Sequence, residues 1–101
     1  MKNVWIGLAT VKQKKNVYIL GRHVKGGFVN ALALAKNSKD FSIQIKKALE
    51  ELGLTMLKLE ESEPFAARIA NYKVEKILVT KAKEVEETGN VRFGTFDIYK
   101  E

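Results

Sequence analysis

The sequence predicts one α+β domain over residues 1–101: a mostly antiparallel sheet of four or five strands with its helices packed on one face. Three patterns lead there. Apolar residues alternate in several short segments, apolar stripes recur at helical spacing in others, and the segments run strand, strand, strand, helix, strand, helix, helix, strand. A chain of 101 residues has room for one modest core, and a composition 46% hydrophobic and 30% charged is that of a globular protein.

The first strand is read over residues 4 to 12. In VWIGLATV, both Val4, Ile6, Leu8 and Trp5, Ala9, Val11 are apolar sets, as expected of an inner strand covered on both faces. Gln13, Lys14, Lys15 and Asn16 form a polar turn, and Val17 to Leu20 reads as a short strand returning in a hairpin. Gly21 to Gly27 is then a loop, broken by three glycines.

Residues 28 to 36, FVNALALAK, fit both alternation and helix propensity; strand is favoured because a capped helix follows at once. Asn37, Ser38 and Asp40 are N-cap types, Phe41, Ile45, Ala48, Leu49 and Leu52 form the stripe, and Gly53 is the stop. Ile43 lies opposite that stripe and reads as an isolated exposed apolar residue. Residues 54 to 60 alternate again as a strand.

Ser62, Glu63 and Pro64 mark the next helix start, with Phe65, Ile69 and Tyr72 on one face. The stripe Val74, Ile77, Leu78, Val85 is out of phase with the first, so a break is expected between Asn71 and Val74. Thr88, Gly89 and Asn90 end the second segment, and VRFGTFDIY, residues 91 to 99, is the closing strand. Phe93 and Phe96, three apart in a regular strand, are expected to face opposite ways and to pack rather than to stack bases.

Composition restricts the chemistry. Without cysteine there are no disulfides, thiolate nucleophiles or cysteine-ligated metals. A single histidine, His23, excludes a multi-histidine metal site; in its loop it reads as a residue that can hydrogen-bond or stack rather than as a general base. GRHVKGGF is glycine-rich but lacks the Gly-Lys-Ser/Thr ending of a phosphate-binding loop. Its glycines are read as hinge or hairpin residues, with an anion-binding nest as the alternative. The acidic clusters Glu60, Glu61, Glu63 and Glu84, Glu86, Glu87 read as a helix start and a solvated helix end. No catalytic residue, metal or cofactor is assigned, and no enzyme is expected.

Charge is the most informative feature. From Met1 to Lys47 ten cations face one acid, whereas from Ala48 onward eight face eleven. Such asymmetry speeds encounter with an acidic partner. Its densest part is KQKKNVYILGRHVKGGF, residues 12 to 28, with five cations and the histidine. The expected partner-binding residues are Lys12, Lys14, Lys15, Tyr18, Arg22, His23 and Lys25. Fifteen of the eighteen cations are lysine, whereas specific nucleic-acid sites lean on arginine, so an acidic protein is the expected partner and sequence-tolerant RNA or DNA the alternative; a small enzyme comes third.

The apolar run Val4 to Val11 ends in lysines with no small-residue cleavage site after it, and no run nears the ~20 residues of a membrane span. No membrane partner is expected, and the cytoplasm is the expected location. The combination of WIGLATVK, GGFVNALALAKNSKDF, ELGL and FGTFDIY resembles small bacterial proteins of about this length, some of which are immunity proteins that neutralise toxins. The resemblance implies a toxin domain as partner and assigns no residue.

Overall fold

A computed structural model describes residues 2–100; Met1 and Glu101 lie outside the described residues. The elements run β1 (Asn3–Gln13), β2 (Val24–Ala35), α1 (Ser38–Glu51), β3 (Leu54–Pro64), α2 (Phe65–Asn71), α3 (Lys76–Thr88), β4 (Arg92–Phe93) and β5 (Asp97–Lys100). They make the expected α+β domain. The sheet is antiparallel at each pairing, in the order β3-β1-β2-β4 with β5 also on β2. Because β2 and β3 both pair antiparallel with β1, they run parallel to each other, joined by the crossover helix α1.

Residues 28 to 36 are strand as expected, and the strand begins earlier, at Val24. Asn37 caps α1 by accepting from the Asp40 amide at 2.8 Å, while the Asp40 carboxylate accepts from the Lys36 amide at 2.9 Å. The helical break falls at Tyr72–Glu75, and Gly89 ends α3 in the left-handed conformation. Ile43 is 60% exposed.

The helices do not share one face. Ala9 and Val11 of β1 and Val29, Ala31, Ala33 and Ala35 of β2 point to one side, where Phe41, Ile45 and Leu49 of α1 cover them. Ile6 and Leu32 point to the other, under Phe65 of α2 and Leu78, Ala82 and Val85 of α3. The doubly apolar pattern of β1 already required two covers; a single layer would have left Ile6, which is fully buried, in water.

Four local expectations are corrected. Val17 to Leu20 is not a strand but the end of one turn, Lys14–Val17, and most of a second, Tyr18–Gly21, because β1 pairs instead with residues 26 to 35. Gly26 and Gly27 are not loop or hinge glycines: they are buried inside β2. A Cβ on Gly26 would collide with the Val11 carbonyl oxygen and lie 2.8 Å from the Tyr99 hydroxyl, so the missing side chain is what lets β1 and the Tyr99 ring close in. The closing segment is not one strand, since it breaks at Gly94–Phe96, and Phe93 and Phe96 therefore meet at 6.0 Å and pack on the same core. Glu60, Glu61 and Glu63 belong to β3 rather than to a helix start, and of the stripe Phe65, Ile69, Tyr72 only Phe65 is buried.

Replacing Gly26 with alanine should cost about 1 to 3 kcal/mol in urea unfolding, as overpacking does. A flexible hinge would respond oppositely, gaining roughly 0.4 to 1 kcal/mol from a stiffer unfolded chain. The α1 cap predicts a pH effect. The Lys36 amide, above all, holds the Asp40 carboxyl below its ordinary value, so the unfolded chain binds the proton more readily than the folded one. That contribution is present above the ordinary carboxylate value and is lost as pH falls through the lowered one. In Asp40→Asn, the acid limb of a melting-temperature profile should be shallower than in the wild type.

Candidate functional site

The β1–β2 connection, residues 14–23, is built from the side chain of the last residue of β1. Gln13 Nε2 donates to the carbonyls of Gly21 and Val24, both at 2.9 Å, and its Oε1 accepts from the Leu20 amide at 2.8 Å. One amide thus bonds three backbone groups of the connection and its exit. The Lys14 amide donates to the Gly53 carbonyl at 3.2 Å, which ties the loop to the turn after α1, and Leu20 packs against the α1-side core. The loop is held at its entrance, its middle and its exit.

Lys12, Lys14, Lys15, Tyr18, Arg22 and Lys25 line one shallow hollow of about 270 Å³ on this scaffold. The Arg22 guanidinium lies 5.4 Å from the centre of the Tyr18 ring, a cation–π contact on a ring 54% exposed. Lys25 is the extra residue of a register shift between β2 and β5 and is exposed. Of the expected partner-binding residues, His23 alone does not line the hollow; it is exposed at the loop's exit.

None of these five cations has a carboxylate within 4.0 Å among the described residues. The described ion pairs lie elsewhere: Lys58–Glu60, Arg68–Glu63, and Glu84 with both Lys81 and Arg92. Lining one hollow, the five like charges add their fields there.

Gln13 is the residue the sequence reading undervalued, as one polar member of a turn. The signal was a lone amide among lysines at a strand end, able both to donate and to accept where lysine can only donate. The reading also missed an aromatic pair beside the loop: Phe28, 41% exposed, and the half-buried Tyr99, with ring centres 5.8 Å apart.

A larger hollow of about 570 Å³ lies between the end of β3 and the α2–α3 break, with Glu61, Glu63, Arg68 and Tyr72 in its wall. Arg68 is committed there to the Glu63 carboxylate and the Glu61 carbonyl, which fixes the α2 entry. No group of three or more His, Asp or Glu among the described residues is arranged to hold a metal, and no helix is long and apolar enough to cross a membrane.

Replacing Gln13 with leucine keeps the side chain's bulk and deletes its three hydrogen bonds. Each is worth about 1 kcal/mol net, and more where a group is left unpaired, so amide exchange at Leu20 should accelerate roughly 10- to 100-fold. Exchange at Ala31 and Ala33, in the middle of β2, which open only with the whole fold, should accelerate by no more than that factor.

No protein-family model matches the chain, and no curated protein or solved structure is significantly similar to it. The functional reading therefore rests on the chemistry of the loop itself.

Proposed function

We propose that this protein is a non-enzymatic docking protein of the immunity or regulatory type, acting in the cytoplasm, that masks an acidic partner protein through the β1–β2 loop. A toxin domain is the partner class in view. The observation behind this reading is the set of five cations, Lys12, Lys14, Lys15, Arg22 and Lys25, without carboxylate partners among the described residues, on and beside a loop that Gln13 holds in place. Each lysine still loses side-chain entropy when it pairs, but a loop whose backbone is already held has little more to lose.

Uncompensated like charges repel, which costs the free protein some stability and favours a partner that brings carboxylates. Electrostatic complementarity of this kind acts mainly on the rate of encounter. Replacing Lys14, Lys15 and Lys25 together with glutamine should leave the melting temperature equal or slightly higher. The same change should slow association with an acidic partner at least about tenfold at low salt, with little effect on dissociation. An unaltered on-rate and salt dependence would reduce the loop to a solubilising surface. Tight binding to a generic single strand or duplex, weakening with a log–log salt slope of about 0.7 to 0.9 per phosphate contact, would favour nucleic acid instead.

A further inference from the structure

The helices α2 and α3 cover only part of their face of the sheet. Side chains opposite one another on antiparallel strands share a face, so the register places Leu8, Thr10 and Lys12 of β1 beside Gly26, Phe28 and Asn30 of β2, with Asp97 and Tyr99 of β5 beyond. On the other flank, Glu60 stands opposite Leu8 and Lys58 opposite Thr10. Ile6 and Leu32 on this face are fully buried under the helices, but Leu8, Thr10, Asn30 and Tyr99 are half-buried and Phe28 is exposed. The Tyr99 ring lies over the bare backbone of Gly26 and against Phe28, making an aromatic shelf that runs directly into Lys12 and the basic loop.

The charge on this shelf is laid out differently from that on the loop. Its cations are Lys12 and Lys58 and its acids are Glu60 and Asp97, with Lys58 bridged to Glu60 at 3.2 Å, so the shelf is close to neutral while the adjoining loop is strongly cationic. A nucleic-acid strand stacking bases on Phe28 and Tyr99 would carry its phosphates past both carboxylates. A protein surface meets no such conflict. Interfaces put an apolar or aromatic anchor at a desolvated centre and charges at a wet rim, and the shelf and loop form such a centre and one side of such a rim.

We propose that the Leu8–Thr10–Phe28–Tyr99 shelf receives a large apolar side chain of the partner protein, flanked on one side by the carboxylates that meet the β1–β2 loop. The inference rests on the docking reading above and specifies the partner's contact surface: an acidic cluster next to an apolar anchor.

A displayed library of random short peptides, sorted against the full-length chain at low and physiological salt, tests both levels. Enriched peptides should carry clustered Asp and Glu beside a large apolar residue. Against Phe28→Thr the apolar preference should vanish, the acidic preference should remain, and affinity should fall about tenfold. Against the triple lysine-to-glutamine variant the acidic preference should vanish instead. Thr10→Gln, which fills the shelf from the neighbouring strand without adding charge, should reproduce the Phe28→Thr result, and unchanged melting of either variant separates lost binding from lost folding. Acidic peptides with no apolar preference, bound equally by Phe28→Thr, would overturn the shelf and leave the loop as the docking site. Absence of acidic enrichment on the wild type would overturn both. An oligothymidylate single strand that shifts the Phe28 and Tyr99 resonances and binds more tightly than the selected peptides would overturn the protein partner.

Discussion

The pairing of β1 with β2 is the contact from which the rest of the molecule follows. Ten consecutive residue pairs, from Asn3 with Ala35 to Lys12 with Gly26, fix which side chains point to which face. A slip of β1 by one residue against β2 would turn its faces over: Ala9 and Val11 would leave α1, and Ile6 would leave α2 and α3. Both cores therefore depend on a single register. The same pairing sets the length of the connection that carries the basic loop, and it brings Gly26 against β1 at the spot where Tyr99 then covers it.

Element lengths explain why one face closes and the other does not. A strand of eleven or twelve residues runs about 36 to 40 Å, whereas the thirteen residues of α3 span about 20 Å. The fourteen residues of α1 are no better matched to the sheet. On its face, however, Leu20 from the loop and Val91, Phe93 and Phe96 from the closing segment complete the cover. Among the described residues nothing comparable follows α3 on the other side, where Phe28 packs on Tyr99 and Tyr99 on Gly26. The β3 edge is protected differently. Its register shifts twice against β1, and Glu61 adopts a positive φ of 55°, so that Lys58, Glu60 and the irregular backbone oppose the addition of another strand.

Much of this was legible in the sequence because it is local. Alternation located β1, β2 and β3, the Asn37–Asp40 cap located α1, and the phase jump between stripes located the α2–α3 break. What stayed hidden depends on distant partners. Val17 to Leu20 has the composition of a strand, but the hydrogen bonds of Gln13 take over its backbone and β1 is already paired. Gly26 and Gly27 look like loop residues until the Tyr99 ring and the Asp97 carbonyl oxygen, some seventy positions later, occupy the space. The candidate site divides in the same way. The cations of the loop stand close in sequence and could be read together, whereas Phe28 and Tyr99 become neighbours only through the β2–β5 pairing.

That division has a physical consequence for recognition. The loop's charge acts at long range and is screened by salt, while the shelf acts only on contact and through desolvated apolar area. Because both hang on the rigid β1–β2 pair, and because Gln13 fixes the loop from within, little backbone has to be ordered when a partner arrives. In the proposed complex, charge governs how often the two surfaces meet, and the aromatic shelf governs how long they stay together. The stability of the fold rests on neither, since the buried side chains among the described residues are all apolar and the five loop cations lie at its margin. Binding strength and folding stability can therefore vary independently in this chain, except at Gln13 and Gly26, where the loop and the shelf are anchored to the core.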